Sequence, residues 1–173
     1  MQFFSGFSLQ NESAFFDKLL CKSELSVSGF SYGAIKAVAY VQKALKEGRR
    51  VDRLQLFSPA FFQSRDSKFK RLQTLSFQRS KDDYIQQFIT ACFLPHKVKK
   101  VELIEGSLEE LQELLYYEWS REALQKIAHQ GVIIEVYLGG NDNIIDVDAA
   151  RAFFLDVATV TFIKEANHFL QLS

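Results

Sequence analysis

Three side chains of suitable type, Ser31, Asp142 and His168, could together cleave an acyl bond. Ser31 is the centre of Gly29-Phe30-Ser31-Tyr32-Gly33, a G-x-S-x-G placed where an apolar run gives way to a helical pattern. An abrupt strand-to-helix turn strains its middle residue, demands small neighbours, and lifts the hydroxyl above the sheet over a helix N-terminus. At background Gly and Ser frequencies of ~7% each, chance supplies such a pattern in a chain of this length on the order of one time in twenty. Alone it also describes a tight turn with no chemistry, so it needs partners.

A serine hydroxyl is a weak nucleophile without a base. Of the three histidines, His168 follows the last strand-like run, in Glu165-Ala166-Asn167-His168-Phe169, a loop from which an imidazole could face Ser31. His129 precedes Gly131 at a helix end and reads as a capping or surface residue. His96 follows Pro95 and reads as exposed. The base in turn needs an acid to orient it and to stabilise the imidazolium. Asp142 lies in Gly139-Gly140-Asn141-Asp142-Asn143, directly after an apolar run. Its rivals Asp146 and Asp148 look like the cap and first turn of the next helix, and Asp142 itself also suits a plain Asn-Gly-rich turn. The developing oxyanion needs two preorganised donors. The Tyr32 amide is one candidate. The Phe7 amide, in Ser5-Gly6-Phe7, is the other, unless that segment is an ordinary glycine turn.

These residues require a frame. Strand patterns at Gln2 to Phe4, Leu25 to Gly29, Val51 to Phe57, Val132 to Leu138 and Thr159 to Ile163 alternate with helical ones. The helices are Asn11 to Leu20, with Asn11 or Ser13 as cap, Tyr32 to Gly48, and Asp146 to Val157. Between about 60 and 130 strand character is lost. Helices at Lys81 to Phe93, Ser107 to Tyr117 and Ser120 to Gln130 replace it, the second opened by a capping box at Ser107-Leu108-Glu109-Glu110. The order predicts one α/β domain over 1–173, about five parallel strands, and a helical cap inserted at 60–130 over their carboxyl ends, where open α/β sheets bind ligands.

Composition narrows the classes. The 173 residues carry 21 basic and 21 acidic side chains, so a generally basic nucleic-acid binder is disfavoured. Cys21 and Cys92 have no metal-ligand spacing and read as buried thiols in helical settings of a reducing cytosol. The first residues lack the basic segment of a signal peptide, and no run approaches a membrane span. The expectation is a cytoplasmic protein with no metal, organic cofactor, nucleic-acid or membrane partner.

The order Ser, Asp, His, together with Ser5-Gly6-Phe7 and Asn167-His168, resembles the α/β-hydrolases from end to end. Within them, Phe3-Phe4-Ser5-Gly6-Phe7, the stretch from Ser28 to Lys36, and Gly106-Ser107-Leu108-Glu109-Glu110-Leu111 resemble the small BioV-type pimeloyl-[acyl-carrier protein] methyl ester esterases. That resemblance implies removal of the methyl ester from a carrier-bound pimeloyl chain in biotin biosynthesis, with Ser31, Asp142 and His168 transferred as the triad. The chain departs from larger hydrolases, which have His-Gly at Ser5-Gly6, often Gly at Asn167, and additional strands and helices. A thioesterase or generic short-chain esterase would use the same three residues, and a binding module could retain the scaffold without the chemistry.

Two further expectations follow. The strands alternate polar and apolar residues, as in Ser26, Ser28, Arg53, Gln55, Glu135, Thr159 and Thr161, whereas fully buried parallel strands read as continuous apolar runs. One sheet face should therefore be thinly covered, solvated or closed by a second copy in a homodimer, unless the polar residues merely sit at strand ends. Between 61 and 100, nine Lys or Arg outnumber three Asp, an excess of +6 followed by an acidic stretch. Arg65, Lys68, Lys70 and Arg71 are the candidates to meet an acidic acyl carrier protein, against the plain reading of a solvated helical face. Phe61, Phe62, Phe69, Phe77 and Phe88 are candidates to line an acyl channel, against the plainer reading of most of them as cap core.

Overall fold

The computed structural model describes all residues from 1 to 173. Five parallel strands, β1 (Gln2–Phe4), β3 (Ser26–Phe30), β4 (Arg53–Phe57), β6 (Ile133–Gly139) and β7 (Thr159–Ile163), form one sheet in that spatial order. A second, two-stranded antiparallel ribbon pairs β2 (Leu9–Gln10) with β5 (Glu102–Leu103).

Register explains the alternation in the strands. Residues paired across a parallel ladder share a face. Gly29, Leu56, Val136 and Val160 form one such row. This apolar face lies under α1 (Tyr32–Lys46) and α6 (Val147–Phe154). The next row, Ser28, Gln55, Glu135 and Thr159, lies on the opposite face. No helix longer than a single 3₁₀ turn (Glu12–Phe16) covers it. Phe16 stacks on Phe57 at 4.7 Å, and the following chain meets the polar row. Gln55 accepts from the Cys21 amide (2.8 Å) and donates to the Leu19 carbonyl (3.0 Å) and to Glu135 (2.9 Å). Glu135 also pairs with Arg53 and accepts from the Tyr137 hydroxyl. The polar residues thus satisfy one another within the chain, and toward β7 the face opens to solvent at Thr159 and Thr161.

α2 (Ser67–Arg79), α3 (Lys81–Phe93), α4 (Leu108–Tyr116) and α5 (Arg121–His129) fill the long insertion between β4 and β6. The Ser107–Glu110 capping box opens α4 as the sequence predicts. Four expectations are corrected. The predicted helix from Asn11 to Leu20 is only the short 3₁₀ turn. Asn11 is left-handed (φ 60°) with no side-chain cap, because the chain must reverse there after β2 and seat Phe16 on the sheet. The insertion is not free of strand, since β5 lies inside it. α2 is an additional helix: it is polar overall, and its start is set by Asp66, which accepts from the Phe69 amide at 2.7 Å. Cys21 lies outside any helix or strand and is half-buried, while Cys92 is buried on α3. No helix is long and apolar enough to cross a membrane.

Candidate active site

The elbow is built by close packing of backbone. A Cβ on Gly29 would lie 2.2 Å from the Gly33 carbonyl oxygen, and one on Gly33 would lie 2.0 Å from that of Phe4. Only glycine lets β3, α1 and the end of β1 approach so closely. Ser31 between them has φ 52° and ψ −115°, a strained conformation for a residue with a Cβ. Its amide donates to the Phe57 carbonyl (2.9 Å), and its own carbonyl accepts from Ala34 and Ala60 (3.1 Å each), so β4 and α1 hold the turn from both sides.

The hydroxyl meets an imidazole. His168 Nε2 lies 3.0 Å from Ser31 Oγ, and Nδ1 lies 2.5 Å from Asp142 Oδ2. All three residues are buried. Zipped loops bring Asp142 to His168. Gly140 donates to Ile163 (2.9 Å) and Asn141 to Ala166 (2.8 Å), while Gly139 packs so tightly that a Cβ would lie 2.4 Å from the Asn167 carbonyl oxygen. The other Asp142 oxygen accepts the Ile144 (2.7 Å) and Ile145 (3.3 Å) amides. The alternatives fall elsewhere. Asp146 caps α6 through the Ala149 amide, and Asp148 lies in its first turn. His129 is exposed at the end of α5, and half-buried His96 contacts the Glu165 carbonyl at 3.1 Å.

The two candidate oxyanion amides lack a backbone acceptor of their own. Tyr32 is the first residue of α1, where no intrahelical partner exists. The Phe7 amide follows the end of β1, which rests on Gly33, and makes no backbone hydrogen bond. The Phe7 ring is buried among Phe77 (6.0 Å) and Phe88 (6.2 Å) of the cap.

Beside Phe7 a cavity of about 350 Å³ opens beneath α2, α3 and α4. It is bounded by Phe62, Phe69, Phe88 and Leu111, and by Ile144 just after Asp142. Of the remaining Phe candidates, Phe61 packs instead on Phe153, and Phe77 stands behind Phe7. Tyr84 also lines the cavity. Burial, reinforced by Cys92, raises its hydroxyl to about 12, so it stays protonated and donates to Gln73 Oε1 at 3.0 Å. A larger depression of about 910 Å³, between the 3₁₀ turn and the C-terminal tail, is lined by Glu12 but by none of Ser31, Asp142, His168, Phe7 and Tyr32.

The cap is tied to the elbow by charge. The Tyr32 hydroxyl, pushed up by burial and by Glu113, donates to Glu113 at 2.5 Å, and Lys36 pairs with Glu110 at 3.3 Å. Arg65, Lys68 and Arg71 are exposed at the start of α2. Lys70 is not a free surface charge: it is 9% exposed, with its ammonium 5.2 Å from the Tyr116 ring centre. Its helical position turns it inward while its neighbours face out.

Two residues here have roles that the sequence does not announce. Asn167 is fully buried, donates to the Phe93 carbonyl (2.9 Å) and accepts from Gln171 (3.0 Å), fastening the His168 loop to α3. Glu12 accepts from the Gly6 amide at 2.7 Å. For Asn167, its place directly before the histidine is a usable signal; for Glu12 the sequence carries none.

No family model matches the chain, and no curated protein matches it by sequence. Solved structures do resemble its fold. An esterase from Exiguobacterium antarcticum aligns with TM-score 0.64 and 14% identity over 94% of this chain and 82% of its own. BioG from Haemophilus influenzae aligns with TM-score 0.58 and 10% identity over 98% and 88%. A hydrolase from Oleispira antarctica gives 0.64 and 10% over 85% and 59%. The chain spans only 54%, 59% and 62% of the length of three such hydrolases. At these identities the likeness is one of fold. The chain has a minimal α/β-hydrolase fold: five parallel strands under a helical cap.

Proposed function

We propose that this chain is a serine ester hydrolase with Ser31 as nucleophile, His168 as general base and Asp142 as its orienting acid. The observation that carries this reading is the continuous buried relay from Ser31 Oγ to His168 (3.0 Å) to Asp142 (2.5 Å). His168 Nε2 takes the Ser31 proton as Oγ attacks the ester carbonyl. The Phe7 and Tyr32 amides receive the negative oxygen. The tetrahedral species collapses, the C–O bond to the alcohol breaks, and His168 returns the proton to the leaving alkoxide. Water, deprotonated by the same imidazole, then releases the acid and restores Ser31. A covalent fluorophosphonate adduct at Ser31, lost on His168→Ala, tests this. A folded protein that forms no adduct would leave only the binding-module reading.

For the substrate we propose the methyl ester of a pimeloyl chain on acyl carrier protein, cleaved to the free carboxylate and methanol in biotin biosynthesis. The BioV-type sequence resemblance supports it, as does the fold likeness to BioG over nearly the whole chain. The small, mostly apolar cavity beside Phe7, lined by Phe7 and Ile144 but by no triad residue, has room for a short acyl chain. Arg65, Lys68 and Arg71 are the residues proposed to meet the acidic carrier. Presented with the carrier-linked methyl ester, the enzyme should release methanol; release of the carrier thiol would instead identify a thioesterase. Turnover of the carrier-linked ester should fall with added salt while that of a small soluble ester does not. Equal salt responses would remove the carrier from the proposal.

A further inference from the structure

The loop presenting the Phe7 amide is held by a buried carboxyl group. After Phe7 the chain enters β2, which is clamped by β5, and reverses at the left-handed Asn11. That reversal brings Glu12 back under the loop, where it is 1% exposed. Its Oε1 accepts the Gly6 N–H at 2.7 Å, and its Oε2 has no partner. An apolar side chain would fill this place without stranding a polar oxygen, so what the carboxyl group supplies is the acceptor.

Gly6 is bonded on both sides: its carbonyl accepts the Leu9 N–H at 3.2 Å and its N–H goes to Glu12. A Cβ there would crowd the Phe30 ring (3.0 Å) and Leu9 (3.2 Å), and as glycine the residue has no side chain to restrain its own backbone. The peptide after Gly6 carries the Phe7 N–H. Glu12 is the one side chain bonded to the Gly6 amide. Burial also raises the Glu12 pKa, which the Gly6 bond opposes.

We propose that Glu12 is a positioning residue for the oxyanion hole: by holding the Gly6 N–H it sets the angle at which the Phe7 N–H meets the carbonyl oxygen of the substrate. This rests on the serine-hydrolase reading. A donor aimed at the oxyanion strengthens as charge develops, so misaiming it slows the chemical step and leaves ground-state binding nearly unchanged.

The test measures kcat and KM on a soluble short-chain ester, the inhibition constant of an alkyl boronic acid, whose tetrahedral adduct on Ser31 imitates the oxyanion, and Tm. Glu12→Ala should lower kcat by roughly 10-fold or more, short of the ~10²–10³ of a fully lost donor. KM should stay within about 2-fold, and boronate affinity should fall in step with kcat. Glu12→Gln, which keeps a carbonyl acceptor for Gly6, should recover most of the loss. Wild-type kcat in folded Glu12→Ala, a change confined to KM, or a Gln variant no better than Ala would overturn the proposal. Should Glu12→Ala fail to fold, Glu12→Asp withdraws the acceptor by one methylene and replaces it: lowered kcat supports the proposal and unchanged kcat overturns it. Wild-type protein that forms no fluorophosphonate adduct would refute the hydrolase reading itself, a result distinct from these.

Discussion

The Asp142 carboxylate is held at both oxygens: Oδ2 lies 2.5 Å from His168 Nδ1, while Oδ1 accepts the Ile144 and Ile145 amides at 2.7 and 3.3 Å. Asp142→Asn must keep its oxygen toward those amides, which turns its NH₂ to His168 and favours the tautomer with Nε2 protonated. That imidazole cannot accept the Ser31 proton. Ester kcat should fall by about 10⁴-fold with the folded structure retained. Asp146→Asn should stay within about 3-fold of wild type, since Asn caps α6 as well as Asp does. Equal effects of the two substitutions would place the acid elsewhere.

Glu12 predicts a pH dependence of stability. Its pKa in the folded protein is raised above 4.5, chiefly by burial. Between the unfolded and folded pKa values the native state binds more protons, so this group's contribution is fully present below the unfolded pKa and lost as pH rises through the folded one. The amide introduced by Glu12→Gln does not titrate. The Tm of that variant minus that of wild type should therefore grow as pH rises above the unfolded pKa of Glu12. A difference independent of pH contradicts the shift.

The two thiols should react differently. Cys92 is buried on α3, and burial pushes its thiol well up, so it holds its proton and is screened from reagents. Cys21 is half-buried outside any helix. A colorimetric thiol assay should count one reactive cysteine in native protein and two after denaturation. Two fast thiols in the native state would contradict this packing.

Gly33 and Gly48 separate the site from the scaffold. Gly33→Ala forces a Cβ to within 2.0 Å of the Phe4 carbonyl oxygen, so β1 and the elbow must part, carrying the Phe7 loop with them. Overpacking of this kind costs about 1–3 kcal/mol, and kcat should fall as well. Gly48→Ala meets open space but imposes a side chain at φ 73°, which costs about 1–2 kcal/mol. It should lower Tm with kcat intact. Parallel loss of kcat in both variants would refute this division.

Much of the frame is legible in the sequence because it rests on local patterns. Glycine at 29 and 33 around Ser31, apolar runs of strand length, the Ser107–Glu110 capping box and the stop at Gly48 act through neighbours a few residues away. The polar row also announces a sheet face that no long helix covers. Register then reveals how Gln55, Glu135 and Arg53 satisfy one another across strands more than 75 residues apart. The extra helix α2 is hard to read because it is polar overall and its packing against α3 and α4 does the holding.

By itself the sequence determined that Ser31 sits on a strained strand-to-helix turn and that Asp142 and His168 each follow a strand, because glycine spacing and apolar periodicity are short-range properties. Only the tertiary structure decided that Ser31 and His168, 137 residues apart, lie 3.0 Å from each other, that Lys70 turns inward, and that Glu12 reaches Gly6. Those outcomes depend on how elements pack and on which buried polar groups find partners, and such long-range complementarity leaves no periodic trace along the chain.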